Sequence, residues 1–169
     1  MDALITIFAY NRPGVLDRIA GIVRKRGWNI DGLTAGSLTG GLMQISLSIT
    51  GQHIDVPELG DRLSELHDVE SWEECSLRDH FIREILLLSY LKDSGQGEVI
   101  SRIGGIKTIE EGKDGRVYAE CTGSPEEIAA KYDLLRENAV SCVRIGKMIL
   151  AKKGERAEDG KRNISGAGN

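Results

Sequence analysis

Tyr10-Asn11-Arg12-Pro13-Gly14-Val15-Leu16-Asp17-Arg18-Ile19-Ala20, followed by Gly27-Trp28-Asn29-Ile30-Asp31, reads as the end of a strand, a loop that opens a helix, and a turn back to a sheet. Asn11 can cap the helix, Pro13 lacks the N–H that a first turn leaves unsatisfied, and Gly14 lets another group approach the backbone. Such a terminus presents unpaired amides and the positive end of a helix dipole, which favours a carboxylate or phosphate. A capped helix with no ligand fits the same residues.

Working outward, Leu4 to Ala9 is short and β-rich, a first strand. In the helix, Val15, Leu16, Ile19, Ile22 and Val23 form one apolar stripe that must cover a sheet, while Asp17, Arg18, Arg24 and Lys25 take the wet side. Gly27 ends the helix and Ile30 to Ser37 resumes an extended pattern. After the turn signal Thr39-Gly40-Gly41, residues Met43 to Thr50 alternate apolar and polar with period two, a half-buried strand. Val56, Leu59, Leu63 and Leu66 keep helical spacing behind Pro57 and Glu58. Val69 to Leu77 reads as a fourth strand. The order β-α-β-β-α-β is the ferredoxin-like arrangement of an antiparallel sheet with helices on one face.

The same order returns. Phe81 to Leu91 is a strong strand, Gly97 to Ile103 a short helix, and Ile106 to Glu111 with Arg116 to Thr122 a hairpin around residues 112–115. Ser124-Pro125-Glu126-Glu127 is a capping box ahead of Ile128, Tyr132 and Leu135, and Val140 to Leu150 closes the unit. The repeat is one of element order and not of residues. The fold class is therefore α+β, with one domain at residues 1–79 and a second at 80–153. Residues 154–169, polar, Gly-rich and aperiodic, read as a disordered tail.

With 40 % hydrophobic and only 5 % aromatic residues, the core of this 169-residue chain is aliphatic. A net charge of -4 argues against a nucleic-acid surface, which needs clustered Lys and Arg. No apolar run reaches bilayer length and the first twenty residues lack the pattern of a signal peptide, so a cytoplasmic protein with no membrane segment is expected. Cys75, Cys121 and Cys142, widely spaced in strand-like runs, read as small buried hydrophobes, and His53, His67 and His80 show no metal-ligand spacing. No nucleophile triad, Walker loop or dinucleotide glycine motif is present, and Gly95-Gln96-Gly97 is too short to count.

Asn11-Arg12-Pro13-Gly14-Val15-Leu16-Asp17-Arg18-Ile19, then Arg26-Gly27-Trp28-Asn29-Ile30-Asp31-Gly32-Leu33-Thr34, resembles the ACT domain of the small regulatory subunits of acetolactate synthase. Arg83-Glu84-Ile85-Leu86-Leu87 resembles the start of that family's second domain, and the likeness runs from about Ala3 to about Lys153. The resemblance implies a non-catalytic chain that binds and activates a large catalytic subunit. That partner holds thiamine diphosphate, magnesium and FAD, while this chain holds no cofactor and no metal. It also implies feedback by valine or a related branched-chain amino acid. The effector would sit between the ACT domains of a homodimer, touched by Asn11, Gly14, Val15 and Leu16 of one chain and by Asn29 and Ile30 of its partner. Gly14 would expose amides to the effector carboxylate, and Leu16 and Ile30 would meet its aliphatic side chain. Core packing fits Leu16 and Ile30 equally well, and a left-handed turn fits Asn29. The sequence departs from the family in its short 38–42 hairpin, in Gln44 where many members carry Arg, and in a trimmed first helix and hairpin of the second domain.

Three other readings compete. A free-standing amino-acid-binding regulator would dimerise without a catalytic partner. An acylphosphatase-type enzyme would use Arg12 and Asn11, but a loop with Pro13 and one glycine lacks the multi-amide phosphate cradle. An RRM-like RNA binder needs aromatic residues on its central strands, and residues 42–50 offer none.

Overall fold

A computed structural model describes residues 2–152, so the 154–169 tail lies outside the described residues. The first unit runs β1 (Asp2–Tyr10), α1 (Val15–Lys25), β2 (Asn29–Ser37), a 3-10 turn (Thr39–Gly41), β3 (Leu42–Thr50), α2 (Val56–Ser64) and β4 (Val69–Glu74). The second runs β5 (His80–Leu91), α3 (Gly95–Ser101), β6 (Ile106–Glu111), β7 (Arg116–Gly123), α4 (Pro125–Asn138) and β8 (Ser141–Ala151). Their four-stranded sheets have the orders β2-β3-β1-β4 and β6-β7-β5-β8, the same topology twice. The ferredoxin-like α+β architecture read from the sequence is the one observed. By packing, the described residues divide into 2–81 with 149–152, and Ile82–Met148. No helix among the described residues is long and apolar enough to cross a membrane.

In the first unit, alternation on β1 and β3 turns Ile5, Ile7, Ala9, Ile45, Leu47 and Ile49 to one face, where Val15, Ile19 and Val23 of α1 and Leu59 and Leu63 of α2 cover them. The predicted α1 stripe is thus the buried one, except that Leu16 stays 38 % exposed. The second unit packs Leu86, Leu88, Val117, Ala119 and Cys121 beneath Ile100, Ile128 and Leu135. At α4 the capping box forms on both sides, with Ser124 accepting from the Glu127 amide and Glu127 accepting from the Ser124 amide.

Three boundaries differ from the sequence reading. Asn11 does not cap α1: its N–H donates to the Gly41 carbonyl at the end of the hairpin, and Gly14 is the N-cap residue, so Pro13 precedes the helix. β4 stops at Glu74, because Ser76 gathers the amides of Asp79 and His80 on its carbonyl and turns the chain. Helix α3 starts two residues early, since Ser94 caps it by accepting from the Gly97 amide at 2.9 Å.

Two glycines give opposite predictions. A Cβ on Gly60 in α2 would lie 1.6 Å from Trp72 Cζ2, so Gly60→Ala should destabilise the fold by about 1–3 kcal/mol in urea unfolding. A Cβ on Gly104 meets nothing within 4 Å at an ordinary φ, so Gly104→Ala should be stabilising by about 0.4–1 kcal/mol.

Candidate functional site

The opening of α1 is built on backbone. Gly14 sits at φ 84°, ψ 0°, in the left-handed region, and no side chain caps the helix there. Arg18 N–H donates to the Gly14 carbonyl at 3.0 Å, starting the helical ladder, so the amides of Leu16 and Asp17 come before any ladder acceptor. Val15 is committed elsewhere, its side chain in the core and its N–H on the Arg12 carbonyl at 3.2 Å. Asn11, Gly14 and Leu16 are exposed at this mouth.

One residue from another part of the chain ties the mouth together. Asp68, in the turn between α2 and β4, is only 1 % exposed. Its Oδ1 accepts from Arg12 Nη1 at 3.2 Å, its Oδ2 accepts from Arg18, and its carbonyl accepts from the Tyr10 N–H at 2.8 Å. Burial acts to raise the carboxyl pKa, but the Arg18 hydrogen bond, the nearby His67 and Arg12 outweigh it and hold the group below its ordinary value. His67 Nε2 stands 2.7 Å from Arg12 Nη1, and the Arg12 guanidinium lies over the Tyr10 ring. Arg18 in turn runs beside Gly14, with Nη1 3.0 Å from where a Cβ would stand. Sequence reading put Arg18 on the wet side and missed Asp68, whose partners are 50 and 56 residues away.

Asn29 and Ile30 lie elsewhere. They line a cleft of about 430 Å³ along the side of α1 with Asp17, Ala20, Gly21, Val23, Arg24 and Trp28. Helix α1 has 11 residues, about 16 Å at the standard rise, and separates Asn29 from the Gly14 mouth. Asn29 is exposed, Ile30 half-buried against the core, and both are on β2, the edge strand of its sheet. Within one chain the six predicted residues therefore fall in two separate places, Asn11, Gly14, Val15 and Leu16 at the opening of α1 and Asn29 and Ile30 at the start of β2. Gln44, the departure from the family pattern, donates from Nε2 to the Ile149 carbonyl at 2.7 Å.

A second polar cluster joins Glu73, Cys75 and His80, whose potential ligand atoms lie within 4.8 Å of one another. The Cys75 thiol donates to Thr6 Oγ1 at 3.2 Å, and burial pushes its pKa up to about 11. His80 Nδ1 accepts from the Ser76 N–H, so the ring proton belongs on the buried Nε2, 3.4 Å from Glu73 Oε1. A protonated Nε2 offers no lone pair to a cation.

A family model described as the AHAS small subunit-like ACT domain matches residues 5–71. The acetolactate synthase small subunit of Bacillus subtilis is 26 % identical over 172 residues, covering 98 % of this chain and 99 % of that protein. A probable acetolactate synthase small subunit of Archaeoglobus fulgidus is 26 % identical over 158 residues, covering 90 % of this chain and 98 % of that one. The crystal structure of the acetolactate synthase small subunit from Thermotoga maritima superposes with a TM-score of 0.77 over 92 % of this chain and 99 % of that chain, at 22 % identity, a likeness of fold.

The Asp68 cluster predicts an acid signature. A carboxyl whose folded pKa lies below its ordinary 3.8 contributes stability that is fully present above that pH and is lost as pH falls through the folded value. The difference in melting temperature between wild type and Asp68→Asn should therefore be flat above about pH 5 and narrow on acidification below it. A difference that widens on acidification would contradict the assignment.

Proposed function

We propose that the chain is a member of the acetolactate synthase small-subunit family and the regulatory subunit of a thiamine-diphosphate-dependent acetolactate synthase, a reading supported by the match of residues 5–71 to that family's ACT domain and by small-subunit relatives 26 % identical over most of the chain. It binds the large catalytic subunit in the cytoplasm, raises its activity, and makes it sensitive to valine or a related branched-chain amino acid. The carbon chemistry, with thiamine diphosphate, magnesium and FAD, resides in that partner.

The observation that carries the reading is the uncapped, glycine-opened start of α1 inside the segment that matches the family's ACT domain. A zwitterionic effector needs donors for its carboxylate, which the leading amides of α1 offer, and oxygen acceptors for its ammonium group, which Asn11 and Asn29 can supply. The separation of the two half-sites along α1 supports a site completed by a second copy. Edge strand β2 supports the same arrangement, because its outer backbone groups are free to pair with another chain. In this scheme Leu16 of one protomer and Ile30 of its partner enclose the aliphatic side chain. Residues 1–79 sense the effector, and residues 80–153 set the fit to the catalytic subunit.

The test is reconstitution. Adding this chain to its large subunit should raise acetolactate formation, and valine should reverse the gain, while the chain alone shows no turnover of 2-oxo acids. Effector binding to a free-standing dimer with no effect on any large subunit would favour the independent-regulator reading instead.

Gly14→Asp separates the two roles. The left-handed backbone at Gly14 makes any side chain there cost about 1–2 kcal/mol, so a melting temperature a few degrees lower is expected. The new carboxylate meets Arg18 and takes the place of the effector's own, so calorimetric titration should show valine affinity at least tenfold weaker. Equal affinities would place the effector site away from this loop.

A further inference from the structure

Asp68 makes contacts on both sides of the loop that opens α1, and these contacts do more than the packing of the unit requires. Its carbonyl holds the end of β1 through Tyr10, one carboxylate oxygen holds the loop through Arg12, and the other holds the first turn of α1 through Arg18. Helix α1 is already anchored to the sheet by Val15, Ile19 and Val23. The guanidinium-bearing side chains are half in water, 53 % exposed for Arg12 and 42 % for Arg18, so neither fills the core. What the carboxylate fixes is direction. Arg18 passes alongside Gly14, its Nη1 3.0 Å from where a Cβ would stand.

We infer that Asp68 is a positioning residue for amino-acid recognition: through Arg18 and Arg12 it sets the shape of the Gly14 mouth, without touching the effector. The inference rests on the reading of residues 11–16 as half of the effector site. Whichever partner of the Asp68–Arg18 pair is lost, the loop and the first turn of α1 are no longer tied together at Gly14, and the amides there lose their fixed direction. Effector affinity, and not the association with the catalytic subunit, is the property that should move.

The experiment uses the full chain with its large subunit, valine as the probe, and the variants Asp68→Asn, Arg18→Gln and the double variant. Calorimetry should show valine binding weakened tenfold or more in each single variant. Any change in activation of the large subunit should be smaller by at least a factor of ten. The double variant should bind no more weakly than the weaker single, because both changes remove one interaction. Asp68→Glu, which restores the charge, should recover part of the affinity. Should Asp68→Asn fail to fold, Arg18→Gln, a surface substitution, decides the matter. Unchanged affinity in Arg18→Gln, additive losses in the double variant, or losses of binding that only parallel losses of activation and melting temperature would overturn the inference while leaving the effector reading intact. A wild-type chain that binds none of valine, leucine and isoleucine overturns the effector reading itself, and this inference with it.

Discussion

A carboxylate removed from water is tolerated only where its charge is met inside the protein, and Asp68 meets that condition by drawing in two guanidinium groups from the start of α1. The consequence is geometric. Strand β1, the loop after it and the first turn of α1 are all referenced to the turn between α2 and β4, so the approach to Gly14 has a defined shape. The left-handed Gly14 backbone belongs to the same arrangement. It brings the chain from Tyr10 into α1 within a few residues, leaves the leading amides uncapped, and gives room for Arg18 to reach across to Asp68.

The proposed site, divided between two protomers, has a thermodynamic corollary. Leu16 and Asn29 are separated by the length of a helix within one protomer, so a small zwitterion can engage both sets of residues only across two protomers. An effector bound that way prefers the assembled state. By linkage, whatever factor the effector adds to protomer association, association returns to effector affinity. Under the proposed function, such coupling would let this chain act on a partner, since the effector would change which protomer arrangement is populated.

How much of this was legible in the sequence follows from the range of each interaction. The alternation of residues 43–50, the α1 stripe and the Ser124 capping box are local patterns, and each element forms where its spacing placed it, although β3 is not half-buried as its alternation suggested, since Ser46 and Ser48 are covered as well. The helix-opening loop was legible as a place of exposed amides, yet Asn11 was given the capping role because its type suits it. The helix begins later, with Gly14 in the N-cap position, and Asn11 is left in the loop with its N–H on the Gly41 carbonyl. Val15 fits both a ligand contact and a core position, and the sheet behind it gives it the second. Asp68 carried no local signal at all. Between His67 and Val69 it reads as an ordinary turn residue, and only the folded chain brings it to Arg12 and Arg18.

The second unit, with the same strand order, opens its first helix differently. Its position equivalent to the α1 opening is the start of α3, where Ser94 accepts from the Gly97 amide and donates to the Leu91 carbonyl at 2.7 Å. The leading donor that α1 leaves open is satisfied there from within the chain. Gly97 looks like another ligand-access glycine, but a Cβ at that position would stand 2.2 Å from the Leu91 carbonyl oxygen, so it is glycine for close packing. Helix α3 is also shorter, seven residues against the eleven of α1, with a correspondingly weaker terminal dipole. One topology therefore carries two different helix openings: an uncapped glycine start at α1, whose leading amides take no side-chain cap, and a serine-capped start at α3, whose leading amide is satisfied from within the chain.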